Sequence, residues 1–77
     1  NNIKVTIEGH TDNSGDYRQN VKLSKERALT IKKYLTDNGV DKNKVKVKGY
    51  GPSKPRYSNS SEANKIKNRR VEIYIDN

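Results

Sequence analysis

The 77-residue chain contains no cysteine, methionine, tryptophan or phenylalanine, only two prolines and a single histidine. Without cysteine there is no disulfide framework, no thiolate metal site and no thiol nucleophile, and either redox compartment is open to the chain. Apolar runs stop at two or three residues, so the sequence holds neither a membrane-spanning helix nor a signal-peptide core. Leu, Ile and Val together supply fifteen residues. A chain this short takes only about 60% of its unfolded surface out of water, so any core is thin.

What is abundant is positive charge: 17 Lys+Arg against 9 Asp+Glu, a formal +8. By composition alone this is a disordered basic tail. The order of residues says otherwise, because the few apolar side chains fall at strand and helix periods.

Ile3-Lys4-Val5-Thr6-Ile7-Glu8 alternates apolar and polar residues, the pattern of a strand with one wet face. Gly9 then opens a loop, and His10 to Gly15 (H-T-D-N-S-G) reads as a turn ordered by Asx and Ser side chains. Between Asn20 and Asn38 the period becomes helical: Ser24, Ala28, Ile31 and Leu35 line one stripe, and Asn38-Gly39 is a stop. Lys44 to Lys48 predicts a second strand, ended by Gly49-Tyr50-Gly51-Pro52. Ser53 to Asn64 reads as a loop running into a short helix at Glu62 to Lys67. In the last strand Val71, Ile73 and Ile75 face one way and Arg70, Glu72 and Tyr74 the other.

If all three apolar strand faces point the same way, the Ala28-Ile31-Leu35 stripe covers them. The expected fold class is α+β, a two-layer α/β sandwich with a small mixed sheet covered on one face by helices. One domain spans 1–77, with no repeat and no linker.

Two residues invite a chemical interpretation. With a helix starting near Ser24, Arg27 falls in the first turn, where a cation opposes the helix dipole and calls for an anion. Asp12 sits in the turn after the first strand, which a strand-turn-helix connection brings near that helix end. An ordinary surface ion pair, worth at most about 1 kcal/mol, is the simpler account. The sharper one is a pocket for a zwitterion, with Asp12 taking an ammonium and Arg27 gripping a carboxylate through its planar fork.

Five strings bear on that choice: Ile7 to Gly15 (IEGHTDNSG), Asn20 to Ala28 (NVKLSKERA), Tyr34-Leu35, Gly49-Tyr50-Gly51 with Pro55, and Asn68 to Ile73 (NRRVEI). In this order and spacing they resemble the OmpA-like C-terminal domain along nearly the whole chain. The resemblance implies non-covalent peptidoglycan binding in the periplasm, through the diaminopimelate residue of the stem peptide, and no catalysis. It places the family's paired aspartate and arginine on Asp12 and Arg27. Further contacts fall on Ser14, Asn20, Leu23 and Arg69, with Thr11, Asn13 and Arg70 as weaker candidates. Arg69 shares strand parity with Val71, which directs it toward the covered side of the sheet.

The resemblance also implies a parent protein attached to the outer membrane or, as the lesser alternative, the inner membrane, with no membrane insertion by this segment. The family domain starts with a further strand and helix. The expectation is therefore an N-terminally truncated domain with an open strand edge, covered by a second copy in a homodimer. Lys65 stands where the family often has arginine, keeping the charge but losing the planar fork.

His10 reads as a loop-packing residue. No serine has a nucleophile elbow, so no hydrolytic triad is expected. One histidine with isolated carboxylates is no zinc site, so neither metal nor cofactor is expected. The alternative function is a basic nucleic-acid-binding module, driven by the +8 charge. The lysines are spread over strands, helix and loops and no recognition-helix or RNP-type string is present, so no nucleic-acid partner is expected.

Overall fold

The computed structural model describes residues 3–76, arranged as β1 (Lys4–His10), α1 (Tyr17–Asp37), a 3-10 turn (Lys42–Lys44), β2 (Val45–Gly51), α2 (Glu62–Asn68) and β3 (Val71–Asp76). The sheet is mixed, in the order β2-β1-β3. β1 runs parallel to β2 and antiparallel to β3. A parallel neighbour requires a crossover, and α1 is that crossover.

Register brings the three apolar faces together. Val5 pairs with Val45 and Ile75, and Ile7 with Val47 and Ile73, so all point to the helix side as the alternation implies. Val5, Ile7, Ala28 and Val45 are buried, with Ile31, Leu35, Val40, Val47 and Val71 packed around them.

Four boundaries differ from the sequence expectation, each for a local reason. α1 begins at Tyr17 because Asp16 caps it, its carboxylate accepting the Gln19 amide at 3.2 Å. Arg27 therefore lies in the third turn, and the first-turn dipole argument for it falls. Next, β1 continues through Gly9 to His10, and β2 continues through Gly49-Tyr50-Gly51. These glycines sit within strands because α1 crosses against them: a Cβ on Gly9 would lie 2.0 Å from the Ser24 carbonyl oxygen, and one on Gly49 2.6 Å from Lys25 Cβ. Lastly, Arg69 caps the C-terminus of α2 and does not belong to β3.

Cover is also narrower than expected. α1 packs on β2 and β1, while Ile73 and Ile75 remain 49% and 68% exposed. The cause is width: a helix about 10 Å across spans two strands about 4.8 Å apart, and a third lies beyond its reach.

Candidate functional site

The turn between β1 and α1 is built on Asp12. Thr11 anchors it, its amide donating to the Gly51 carbonyl at 2.9 Å and its hydroxyl to the Asp12 carbonyl at 2.8 Å. Asp12 is itself only 4% exposed. One carboxylate oxygen accepts the Ser14 amide at 2.8 Å, and the other accepts Arg69 Nε at 2.5 Å. The Asn20 side-chain amide donates to the Ser14 carbonyl at 2.7 Å, tying the turn to the first turns of α1. Burial pushes the Asp12 carboxyl up, but the Ser14 amide and the Arg69 guanidinium outweigh it and leave its pKa below the ordinary 3.8.

Asp12 is thus paired with Arg69, 57 residues away in the chain, and not with Arg27. Arg69 also reaches Glu62 at 3.4 Å. Its position comes from the α2 cap, not from strand parity. Sequence reasoning places Glu62 at the start of the short helix but not in the site, because its only signal is a place in the first turn behind the Ser61 cap.

Arg27 is exposed and makes no side-chain hydrogen bond or ion pair among the described residues. Its direction follows from the helix. Val21 and Lys25 contact β2 at Gly51 and Gly49, which orients that side of α1 toward β2. Asn20, Leu23 and Arg27 fall on the other flank, toward β3. Seven residues, about 10 Å, separate Asn20 from Arg27 along that flank. An α-helix tilts its Cα–Cβ bonds toward its N-terminal end, which from Arg27 is the direction of Asn20 and the turn.

The structure therefore gathers Asp12, Ser14, Asn20 and Arg69 into one network. Leu23, 40% exposed, and Arg27 stand on the adjoining helix flank. Asn13 is exposed at the turn, while Thr11 is buried beneath it. Arg70 lies elsewhere: its guanidinium donates to Glu72 at 2.5 Å and to the carbonyls of Asn68 and Lys54, on the sheet face away from α1. Arg69 turns to Asp12 and Glu62 and Arg70 to Glu72, so the two do not share a site.

Two buried polar side chains hold this frame. Ser24 Oγ accepts the Gly51 amide at 2.9 Å, locking α1 to the end of β2. Asn68 accepts the amides of Arg56 and Tyr57 and donates to the Tyr57 carbonyl and Asn59, closing the loop that leads into α2.

A model of the OmpA family matches residues 1–69. The chain is 41% identical over 71 residues to the probable lipoprotein YiaD of Escherichia coli, covering 92% of this chain and 32% of that protein. It is 42% identical over 72 residues to the outer-membrane lipoprotein YfiB of Pseudomonas aeruginosa, covering 94% and 43%. The chain thus spans less than half the length of these relatives. Among solved structures, the peptidoglycan-associated lipoprotein from Burkholderia pseudomallei superposes with a TM-score of 0.90 at 27% identity, over 96% of this chain and 63% of that one.

Proposed function

The chain belongs to the OmpA family, and we propose that it binds peptidoglycan non-covalently and without catalysis, through the diaminopimelate residue of the stem peptide. The carrying observation is Asp12, a buried carboxylate kept ionised by the Ser14 amide and Arg69 at the mouth of a turn. A buried anion with further lone-pair capacity suits an ammonium. Arg27, unpaired on the flank that leads to the turn, suits a carboxylate through its planar fork. A diaminopimelate side chain ends in both groups. Arg69 supports Asp12 and offers the carboxylate a second cation, while Ser14, Asn20 and Leu23 shape the approach. The relatives named as outer-membrane and peptidoglycan-associated lipoproteins support a periplasmic setting, in a parent protein anchored in the outer membrane. Among the described residues no helix is long and apolar enough to cross a membrane.

The test is a calorimetric titration of the protein with two stem peptides, one bearing diaminopimelate and one bearing lysine in its place. Lysine keeps the ammonium and lacks the carboxylate. The diaminopimelate peptide should bind about tenfold to a hundredfold more tightly, the worth of a charged hydrogen-bond pair. Arg27→Ala should abolish that preference, and Asp12→Ala should abolish binding to both with the amide spectrum of the fold retained. Equal affinity for the two peptides, or equal affinity for duplex DNA falling alongside with salt, would overturn the proposal.

A further inference from the structure

The sheet face away from α1 carries a cluster that peptide binding does not use. β1 and β3 pair Glu8 directly opposite Glu72, and His10 follows two residues later on the same face of β1. Two like charges directly opposite on a sheet are destabilising unless something compensates them. His10 is 2% exposed, and neither ring nitrogen has a hydrogen-bond partner. Its Nε2 lies 3.8 Å from a Glu8 oxygen, and one ligand atom from each of His10, Glu8 and Glu72 falls within 4.8 Å of the others.

A buried imidazole with no partner loses its hydration for nothing in return, at a cost of about 1–3 kcal/mol per unsatisfied group. Stacking on Tyr50, with ring centroids 5.5 Å apart, fixes the plane of the ring but satisfies neither nitrogen. Burial and the nearby Arg70 cation hold the imidazole below its ordinary pKa of 6.5.

We propose that His10, Glu8 and Glu72 form a site for one divalent transition-metal cation of the zinc class. Imidazole nitrogen with two carboxylates is a donor set suited to such ions, and water completes a tetrahedron. Ligand bonds of about 2.1 Å set neighbouring donors roughly 3.4 Å apart, so the cluster closes by about an ångström of carboxylate movement. Arg70 Nε and the Tyr74 hydroxyl both donate to Glu72 and act as the outer partners that orient a ligating carboxylate. Arg56 and Arg70 share one Glu72 oxygen, at 3.2 Å and 2.5 Å, and Arg56, the more exposed of the two, is the cation that must yield.

Because the chain has one histidine and no cysteine, nitrogen ligation can report only at His10. The experiment titrates zinc chloride into untagged, 15N-labelled protein without peptidoglycan, following the His10 ring nitrogens by NMR and stoichiometry by calorimetry. One equivalent should bind, moving the Nε2 resonance. Glu8→Gln, which keeps the side-chain shape, should weaken binding at least tenfold, and Arg56→Gln should tighten it by removing the competing cation. An unmoved His10 ring at millimolar zinc in folded protein, or an affinity unchanged in Glu8→Gln, would overturn the proposal. Either result leaves the peptide-binding reading untouched.

Discussion

Asp12 shows how much a single side chain in this protein depends on distant ones. Its carboxyl is pulled down by the Ser14 amide and by Arg69 against the opposing effect of burial. Arg69→Ala should therefore raise the Asp12 pKa, measurable in a carboxyl 13C titration. The sign for stability follows from the lowered folded value: the contribution is complete above the unfolded pKa and disappears as pH falls through the folded one. Ser24 makes the complementary case for a neutral group. Ser24→Ala leaves the buried Gly51 amide without its acceptor and should cost about 1–3 kcal/mol by urea unfolding. Helical spacing in the sequence marked Ser24 as part of one stripe with Ala28, Ile31 and Leu35. That it also accepts a bond from β2 could not be seen, since its partner is 27 residues away.

Among the elements, α1 starts where a cap places it and not where its apolar stripe begins. Asp16→Ala should destabilise the protein by about 1 kcal/mol and fray the turn that presents Asn20, detectable as loss of amide protection at Gln19 and Asn20. β2 is constrained in the opposite way, by what passes over it. Gly49→Ala would set its Cβ 2.7 Å from the Lys25 backbone nitrogen, forcing helix and strand apart, and should cost about 1–3 kcal/mol. Both glycines of Gly49-Tyr50-Gly51 look like turn residues in sequence, because a glycine needed for close approach and one needed for a bend are written with the same letter. Gly51 serves both needs, with a φ of +57° and Val21 close above it.

Across the whole molecule, stability is distributed unevenly over the sheet. Ile7 is fully buried at its centre, and Ile7→Ala should cost about 2–5 kcal/mol. Its ladder partner Ile73 is half exposed, and the same truncation there should cost about 1 kcal/mol, a contrast that paired denaturation curves will read. The other face is governed by charge. Hydrogen bonds from Tyr74 and Arg70 bring the Glu72 pKa from 4.5 down to about 2. A depressed carboxylate contributes its stability above the unfolded value and loses it between pH 4.5 and about 2. Glu72→Gln should accordingly flatten the acid limb of a stability-against-pH profile over that interval.

The sequence by itself determined which strand side chains face the helix layer, the number and order of strands and α-helices, and that a polar turn carrying Asp12 joins β1 to α1. Alternation and helical period are local rules, acting over a few neighbours and readable without coordinates. The partner of Asp12, the strand character of Gly49 to Gly51, the bare β3 flank and the meeting of His10 with Glu8 and Glu72 were decided only by the tertiary structure. Each depends on which segments the sheet order β2-β1-β3 sets side by side. Contact between residues far apart in the chain is a property of the closed fold, where packing and strand register, not spacing along the sequence, choose the neighbour.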